Sequence, residues 1–356
     1  MSKPDLAKKN NSKNQTGNLA LYTKYRPQKF SDVIGQEQII NVLENSLKLE
    51  NISHAYLFSG SRGTGKTSVA RILANEIGTS ENDLFEIDAA SNNGVEEIRR
   101  LTESVQTMPF DSKYKVYILD EVHMLSKSAF NALLKTLEEP PKHIIFVLAT
   151  TEPEKLPETV ISRCEHYQFK SPNRTILKKM IIATAKKEGY ELDSGAGELL
   201  AILGDGSFRD AHTNLQKLIR SSADAKISVD EVEKVMGAPQ SEMINNLIKS
   251  ILEKNQDLGL STIATAKEKN IDIKIFLKLL IEKIRAILIL KIAKEKKDLY
   301  EDILSDDDIK SISELLITNS QNLNSKTLLA VLDIYDQSIN SPIPYLPLEL
   351  MIVDLQ

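Results

Sequence analysis

Residues 60–67, with the sequence GSRGTGKT, combine the residue types that can hold a chain of phosphates. The glycines let backbone N–H groups turn toward phosphate oxygens, Lys66 has the length to reach the outer phosphates, and the Thr67 hydroxyl is a ligand for magnesium. An apolar run precedes the segment and a helical pattern follows it, which is the context that a phosphate-binding P-loop requires. A plain Gly-rich turn is the alternative interpretation, and this context disfavours it.

A second set of chemical residues is the acidic pair Asp120-Glu121, at the end of the apolar run VYIL. In a parallel sheet, that position lies beside the phosphate loop. We expect Asp120 to help hold magnesium and Glu121 to polarise a water molecule for attack on the γ-phosphate. An acidic pair after a strand is more often a turn or a helix cap, but the P-loop upstream favours the catalytic interpretation.

Two arginines stand in short motifs, Arg163 in Ser-Arg-Cys and Arg209 in Gly-Ser-Phe-Arg-Asp-Ala. An arginine without an identified partner is ordinarily a solvated side chain. Neither motif predicts a role without further evidence.

Short apolar runs alternate with longer helical patterns between residues 54 and 170, which predicts a parallel sheet covered by helices on both faces. The helical pattern Ser126–Glu139 illustrates this, because its leucines recur every three or four residues until Pro140. The predicted strands are His54–Phe58, Leu84–Asp88, Lys115–Leu119, Ile144–Ala149 and Glu165–Phe169.

The pattern changes after Ser171, where strand signals end and helical periods continue to the last residue. We therefore predict a polar tail over residues 1–20, an α/β domain over 21–171, a small helical domain over 172–238 and an all-α domain over 239–356. The last segment is rich in Ile, Leu and Lys and shows no catalytic cluster, so packing or oligomerisation is its expected role.

Composition narrows the class of protein further. Among 356 residues the formal net charge is −5, which excludes a strongly basic nucleic-acid coat. A single cysteine, Cys164, permits neither an internal disulfide nor a multi-thiolate zinc site. The N-terminus lacks the apolar run of a secretory signal, and charges interrupt residues 271–292, so we expect a cytoplasmic protein without a membrane span.

From Tyr22 to Gly237 the ordered motifs resemble the gamma/tau subunits of bacterial DNA polymerase III clamp loaders, a family of AAA+ ATPases. The motifs include the phosphate loop and Phe30, and the others are Tyr25–Pro27 (YRP), Val33–Gln36 (VIGQ), Ile87–Val95 (IDAASNNGV), Leu119–Leu125 (LDEVHML), Phe130–Pro141 (FNALLKTLEEPP), Leu148–Thr151 (LATT), Ser162–Cys164 (SRC) and Gly206–Asp210 (GSFRD). The fold that the resemblance implies is an AAA+ domain with a five-stranded parallel sheet, followed by a helical lid and a helical collar.

The resemblance also implies roles for individual residues in binding and hydrolysing Mg-ATP. Arg163 matches the family's arginine finger, which acts in a neighbouring subunit, whereas Arg209 matches the second sensor and Thr151 the first. The adenine is expected against Tyr25, Pro27, Val33 and Ile34. The phosphates are expected on the loop residues Gly60, Ser61, Gly63, Thr64, Gly65, Lys66, Thr67 and Ser68.

The partners that the resemblance implies are delta, delta-prime and further copies of the chain in a pentamer. Such a complex opens the sliding clamp and loads it on primer-template DNA. The segment Ser91–Gly94 precedes a helix that faces DNA in the family, although an ordinary helix cap explains it equally well. The family is classed with the DNA-directed DNA polymerases, which are nucleotidyltransferases, but we do not expect this chain to polymerise DNA.

Two departures from the family pattern change the expectations. Members usually carry four zinc-binding cysteines after the P-loop helix, and the corresponding stretch, residues 74–83, has none, so we expect no zinc. The chain also stops at Gln356 without the long tail of tau forms, and we do not expect tau-like bridging to the polymerase III core and the helicase.

Two other functions remain as alternatives to a clamp-loader ATPase. One is a scaffold subunit that binds ATP with little turnover and organises the replisome through its helical third domain. The other is a hexameric AAA+ remodeller, such as a Holliday-junction motor, although the Ser162–Cys164 motif argues against it.

Overall fold

The computed structural model describes residues 19–222, 224–293 and 322–354, with residues 295, 296, 300, 303 and 309 between them. The chain divides into two compact units. The first comprises the residues up to 188 together with 204–216, and the second comprises 189–203 and 217–356. The predicted tail, residues 1–20, lies outside the described residues as far as residue 18, and the three-domain division stays a prediction.

A five-stranded parallel sheet forms the centre of the first unit. Its strands are β1 (Ala55–Ser59), β2 (Leu84–Asp88), β3 (Lys115–Asp120), β4 (Ile144–Thr150) and β5 (Glu165–Gln168). Their order across the sheet is β2-β3-β4-β1-β5. The five strands predicted from apolar runs are thus confirmed, with ends that differ by one residue at most.

Helices cover both faces of this sheet because neighbouring residues of each strand point to opposite faces. One apolar layer joins Leu57, Leu119 and Phe146 to the helices Val95–Val105 and Lys127–Glu138, and the other joins Tyr56, Phe58 and Ile118 to the helices Glu37–Lys48 and Lys66–Glu76. The helices of this unit are α1 (Leu21–Lys24), α2 (Glu37–Lys48), α3 (Lys66–Glu76), α4 (Val95–Val105), α5 (Lys127–Glu138), α6 (Glu158–Ile161), α7 (Arg174–Lys187) and the first part of α9 (Phe208–Ser221).

The helix ends follow local capping chemistry. Helix α5 begins at Lys127 because the hydroxyl of Ser126 accepts the backbone N–H of Ala129. Helix α3 begins at Lys66, within the phosphate loop itself, because Gly65 at φ 104° occupies the capping position. Before α4, the cap is Gly94 with no side-chain hydrogen bond.

A buried carboxylate fixes the turn that precedes β3. Asp83 is 1% exposed and accepts the backbone N–H groups of Phe110, Asp111 and Ser112 at 2.6, 2.8 and 2.9 Å. Burial alone would raise its pKa, but these bonds stabilise the carboxylate and lower the pKa of Asp83 to about 2.

The second unit contains a pair of short strands that the sequence analysis missed. β6 (Glu191–Leu192) pairs in parallel with β7 (Lys226–Ile227), so the expectation that strands end after Ser171 was wrong. Strands of two residues have too few side chains to show an alternating pattern. The helices here are α8 (Ser194–Leu203), α10 (Val229–Met236), α11 (Ser241–Glu253), α12 (Gln256–Glu268), α13 (Ile273–Ile292), α14 (Ser325–Asn340) and α15 (Leu346–Val353).

Helices α11 to α15 share one apolar core, which includes Leu247, Phe276, Leu280 and Leu348. Large apolar side chains of α14, α15 and the turn between them nevertheless remain exposed, namely Leu329, Leu332, Ile339, Ile343, Leu346, Leu350 and Val353. We call this set the α14–α15 apolar face. Within the described ranges, no helix has the length and apolarity needed to cross a membrane.

Candidate nucleotide-binding site

The loop between β1 and α3 depends on glycine at two crowded positions. A Cβ atom on Gly60 would stand 2.5 Å from the carbonyl oxygen of Phe169, and one on Gly63 would stand 2.0 Å from Oγ of Ser207. Gly60, Gly63 and Gly65 also have φ values of 141°, 74° and 104°, which L side chains rarely adopt. The loop therefore follows a path that only these glycines permit.

Lys66 is buried at the end of this loop, with 6% of the residue exposed. Its Nζ donates to the carbonyl oxygens of Gly60 at 2.7 Å and Ser61 at 2.9 Å. Burial lowers the pKa of Lys66, and the carboxylates of Glu121 and Asp120 oppose that shift. The ammonium group is thus held inside the loop, with two acidic side chains near enough to stabilise its charge.

The acidic pair lies directly beside the loop. Thr67 donates its hydroxyl hydrogen to Oδ2 of Asp120 at 2.7 Å, and the other oxygen of Asp120 accepts the backbone N–H of Glu121 at 2.9 Å. A hydroxyl and a carboxylate in contact form an oxygen donor set that suits magnesium. Their chemistry fits the predicted magnesium site.

Glu121 has an unusual backbone conformation, with φ 49° in the left-handed region. Glu121 lies directly after β3, at the carboxyl ends of the strands, where the phosphate loop also follows β1. Its carboxylate accepts a hydrogen bond of 3.1 Å from the hydroxyl of Thr151, the residue that follows β4. The structure therefore brings the predicted first sensor and the predicted catalytic glutamate into contact.

A cavity of about 250 Å³ opens over the loop, and residues from distant parts of the sequence line it. The lining includes thirteen of the predicted site residues, which are Tyr25, Pro27, Val33, Ile34, Gly63, Thr64, Gly65, Lys66, Thr67, Ser68, Asp120, Glu121 and Arg209. Three other predicted residues contact the lining through hydrogen bonds. The carbonyl oxygens of Gly60 and Ser61 accept from Lys66, and the hydroxyl of Thr151 donates to Glu121.

The start of α9 is bonded to the phosphate loop. The backbone N–H of Phe208 donates to the carbonyl oxygen of Gly63 at 3.0 Å, and the next residue, Arg209, lines the cavity. Cζ of Arg209 lies 5.0 Å from the centre of the Tyr22 ring, a cation–π distance. The loop and a guanidinium group from a sequence segment far downstream thus share one cavity.

Aromatic and apolar side chains line another part of the cavity wall. The ring of Tyr25 stacks on His212 with 6.1 Å between ring centres and 3° between planes. Its hydroxyl donates to Glu188, and burial together with this bond raises the pKa of Tyr25 to about 12. Val33 and Ile34 also line the cavity. This wall offers the flat apolar contact that a nucleobase requires.

Arg163, the predicted arginine finger, is placed elsewhere. Its Nη2 bonds to Oε1 of Glu138 at 2.6 Å and its Nη1 donates to the carbonyl oxygen of Thr159 at 2.6 Å. The guanidinium is therefore engaged with α5 and α6, whereas Arg209 lines the cavity of its own chain.

Several lining residues were missed by the sequence analysis, among them Tyr22, Arg26, Glu86, Phe208 and His212. Burial lowers the pKa of Arg26, and the neighbouring guanidinium of Arg71 adds to the effect. Tyr22, Arg26 and the two residues near Arg209 stand beside predicted site residues and were detectable by proximity. Glu86 lies within β2 and carried no signal in the sequence.

Solved structures with the same fold identify the class of protein. Two chains of Thermotoga maritima RuvB, one of them titled a Holliday junction branch migration motor, match with TM-scores of 0.52 at 20–21% identity. They cover 64% and 67% of this chain and 79% and 85% of their own length. The shared fold and the phosphate loop thus define a P-loop α/β protein.

Sequence comparisons identify the family within that class. The model described as DNA polymerase III, delta subunit, matches residues 35–93 and 78–173, and the model of domain III of DNA polymerase III subunits gamma and tau matches residues 227–334. The chain is 40% identical to DNA polymerase III subunit gamma of Buchnera aphidicola over 66% of its length and 69% of that protein. It belongs to the gamma/tau subunit family of DNA polymerase III.

Longer relatives give the same family. DNA polymerase III subunit tau of Bacillus subtilis is 39% identical over 90% of this chain, and that of Escherichia coli is 40% identical over 71%. The matched regions amount to 59% and 42% of those two proteins. The chain therefore spans about half the length of these tau relatives.

Proposed function

We propose that the chain is an ATP-hydrolysing subunit of a DNA polymerase III clamp loader. The observation that carries the proposal is the convergence of Lys66, Thr67, Asp120 and Glu121 on one cavity, which Arg209 also lines. These residues supply the charges and the oxygen ligands that phosphoryl transfer requires. Membership of the gamma/tau family supports the assignment to a clamp loader.

The phosphates and the adenine of ATP are proposed to occupy different parts of the cavity. The phosphate loop from Gly60 to Ser68 takes the phosphates, because Lys66 and the backbone N–H groups of the segment that lines the cavity, Gly63–Ser68, supply positive charge there. Tyr25, Pro27, Val33 and Ile34 take the adenine on the apolar wall.

Hydrolysis is proposed to depend on the acidic pair. Magnesium, held by Thr67 and Asp120, supplies positive charge for the phosphate oxygens when it is bound. Glu121 orients a water molecule and accepts its proton, Thr151 holds the Glu121 carboxylate, and Arg209 stabilises charge on the γ-phosphate. The contact between Thr67 and Asp120 supports the magnesium site.

Arg163 is proposed to act in a neighbouring subunit, which would make hydrolysis depend on assembly. Arg163 lies in the turn after α6 and bonds to Glu138 and Thr159, whereas Arg209 lines the chain's own cavity. The proposed partners are delta, delta-prime, further copies of this chain, the sliding clamp and primer-template DNA. Ser91–Gly94 is proposed to face the DNA, and polymerisation by this chain is not expected.

Two further expectations belong to the same proposal. We expect purified protein to contain no stoichiometric zinc, since residues 74–83 carry none of the cysteines that relatives use. We also expect the protein to act in the cytoplasm, where a bacterial replication complex meets DNA.

The decisive experiment is ATP turnover by the full chain, alone and with delta, delta-prime, the sliding clamp and primed DNA. We expect strong stimulation only in the complete mixture. Lys66→Ala should remove ATP binding, and Glu121→Gln should keep ATP binding while abolishing turnover. Glu76→Gln, an exposed glutamate at the end of α3, is the matched control and should behave as the wild type.

The same experiment tests the scaffold alternative. If Glu121→Gln leaves clamp loading unchanged, the chain organises its partners without working as a motor, and the proposal of hydrolysis fails. A Holliday-junction motor is disfavoured because the RuvB structures share the fold at only about a fifth identity, whereas the gamma subunit of Buchnera aphidicola is 40% identical.

A further inference from the structure

His123 is a buried histidine that the proposed mechanism leaves without a role. It lies two residues after Glu121 in the 3-10 turn Val122–Met124, and its side chain is 6% exposed. Its ring nitrogens face oxygen atoms on both sides, although an apolar side chain would fill the same volume without needing polar partners. A buried imidazole with polar neighbours on two sides points to a role beyond packing.

Both ring nitrogens of His123 lie near oxygen atoms. Nε2 lies 3.4 Å from Oε1 of Glu152. Nδ1 lies 3.0 Å from Oγ1 of Thr150, a hydrogen-bond distance. That hydroxyl oxygen in turn accepts the backbone N–H of Glu152 at 3.0 Å. The two ring nitrogens thus face Thr150, the last residue of β4, and Glu152, two residues beyond it.

Glu152 is well suited to hold the ring. Its Oε2 lies 2.5 Å from Nζ of Lys155, and this hydrogen bond lowers the pKa of Glu152. The carboxylate therefore stays charged near neutral pH and remains an acceptor for Nε2. Glu121, Thr150, Glu152 and, behind Glu152, Lys155 are the charged and polar groups that surround the imidazole.

The ring also touches the proposed catalytic glutamate. Oε2 of Glu121 lies 3.5 Å from Nδ1 of His123, and the same oxygen accepts the hydroxyl of Thr151. The Glu121 carboxylate is therefore bounded on one side by a ring that Thr150 and Glu152 hold in place. A carboxylate that must orient water gains from such restriction, because reaction rates depend steeply on the position of the reacting group.

We propose that His123 is a positioning residue for hydrolysis, which fixes the Glu121 carboxylate in its working orientation and is itself fixed by Thr150 and Glu152. The inference rests on the proposed ATPase function. Residues at and just after the end of β4 then restrain the proposed catalytic glutamate in two ways. Thr151 binds its carboxylate directly, and Thr150 holds the imidazole that contacts it.

The test is steady-state ATP turnover by the full chain in the assembled clamp loader, with ATP affinity and thermal unfolding measured for each variant. His123→Ala should lower kcat by about tenfold to a hundredfold, the range that misplacement of a reacting group produces. The KM for ATP should stay near the wild-type value, because the polar partners of the ring, Glu121, Thr150 and Glu152, lie outside the phosphate loop. His143→Ala is the control, since His143 lies before β4 and bonds to the carbonyl oxygens of Val105 and Thr107.

A pair of conservative variants separates positioning from packing. The side-chain amide of His123→Asn reaches the place of Nδ1, beside Thr150 and Glu121, whereas that of His123→Gln reaches the place of Nε2. We expect Asn to restore kcat to within about threefold of the wild type and Gln to restore it less, because only the first contacts the Glu121 side.

Other outcomes would overturn the inference. An unchanged kcat for His123→Ala would exclude positioning, and so would a parallel loss of kcat, ATP affinity and thermal stability, which would mark a purely structural ring. Glu121→Gln in the same preparation separates this failure from failure of the proposed function. If that variant still turned over ATP, the assignment of hydrolysis to Glu121 would be lost, whatever His123 does.

Discussion

Arg163 and Glu138 form an ion pair within one chain, with Nη2 and Oε1 2.6 Å apart. The side chains are 32% and 48% exposed, so water screens the pair and its contribution to stability is small, about 0–1 kcal/mol. The guanidinium is thus held in place by a contact that a stronger ligand can replace. Such a contact is compatible with the proposed action of Arg163 on a neighbouring subunit.

Arg163→Ala is expected to leave the ATP affinity of the isolated chain nearly unchanged and to lower hydrolysis in the assembled complex by about 10³-fold or more. Glu138→Gln removes the ion pair but leaves the finger, so hydrolysis should stay at the wild-type level or above. Turnover and ATP binding measured on both forms check this prediction. If Arg163→Ala reduced ATP binding equally in the isolated chain, or Glu138→Gln stopped hydrolysis, the assignment in trans would be wrong.

Substitution by alanine is expected to destabilise the protein more at Gly63 than at Gly65. A Cβ on Gly65 meets nothing within 4 Å, so Gly65→Ala should cost only the backbone strain, about 1–2 kcal/mol. Gly63→Ala adds the clash with Ser207 and should cost about 1–3 kcal/mol more. Urea unfolding of both variants measures the difference.

Ser207→Gly provides the control for this pair, because glycine is nearly as good as serine at a helix start. Combined with Gly63→Ala, it should bring the cost down to that of Gly65→Ala. If the double variant were no more stable than Gly63→Ala alone, the contact between the phosphate loop and the start of α9 would not explain the glycine.

Asp83 is expected to stabilise the first unit above pH 4. Its folded-state pKa of about 2 lies below the unfolded value of 3.8, so its contribution is complete above the unfolded pKa and is lost as the pH falls toward 2. Asp83→Ala leaves three backbone N–H groups without this acceptor and should cost about 1–3 kcal/mol. Urea unfolding at pH 7 and pH 3 checks both points. The difference between variant and wild type should shrink at the lower pH.

The α14–α15 apolar face is expected to bind another subunit. Leu329 and Leu332 lie on one face of α14 and are 60% and 41% exposed. Clusters of this kind on a soluble domain mark interaction surfaces. Leu329→Asp should weaken association of the chain with itself or with delta and delta-prime, as sedimentation would show, without lowering the melting temperature. Lys326→Asp on the same helix is the control, and an equal effect of both would point to charge instead of apolar contact.

Much of the fold was predictable because local patterns carry it. The three inner strands β1, β3 and β4 are buried apolar runs of five to seven residues, and α5 shows both its apolar stripe and its Ser126 cap. The edge strands β2 and β5 are largely exposed. Strands β6 and β7 were missed because two residues show no period. Their pairing joins parts of the chain that are more than thirty residues apart, and only the folded chain brings them together.

The site was predictable where the chemistry is local in sequence and unpredictable where it is built from distant segments. The residue types of the phosphate loop and of Asp120-Glu121 indicate their chemistry, and the structure places both at one cavity. The stacking of Tyr25 on His212 and the contact of His123 with Glu152 depend on tertiary packing. Residue types alone gave His123 no role, since a single histidine is most often an ordinary core or surface residue.

The left-handed backbone of Glu121 places selection for stability in conflict with selection for turnover. That conformation lowers the folding stability by about 1–2 kcal/mol for a residue with a Cβ atom, whereas glycine adopts it freely. Selection for thermal stability alone would therefore favour glycine at position 121, whereas the proposed hydrolysis requires a carboxylate there. On that proposal, descendants of this protein that do not hydrolyse ATP should lose this glutamate early and gain stability when they do.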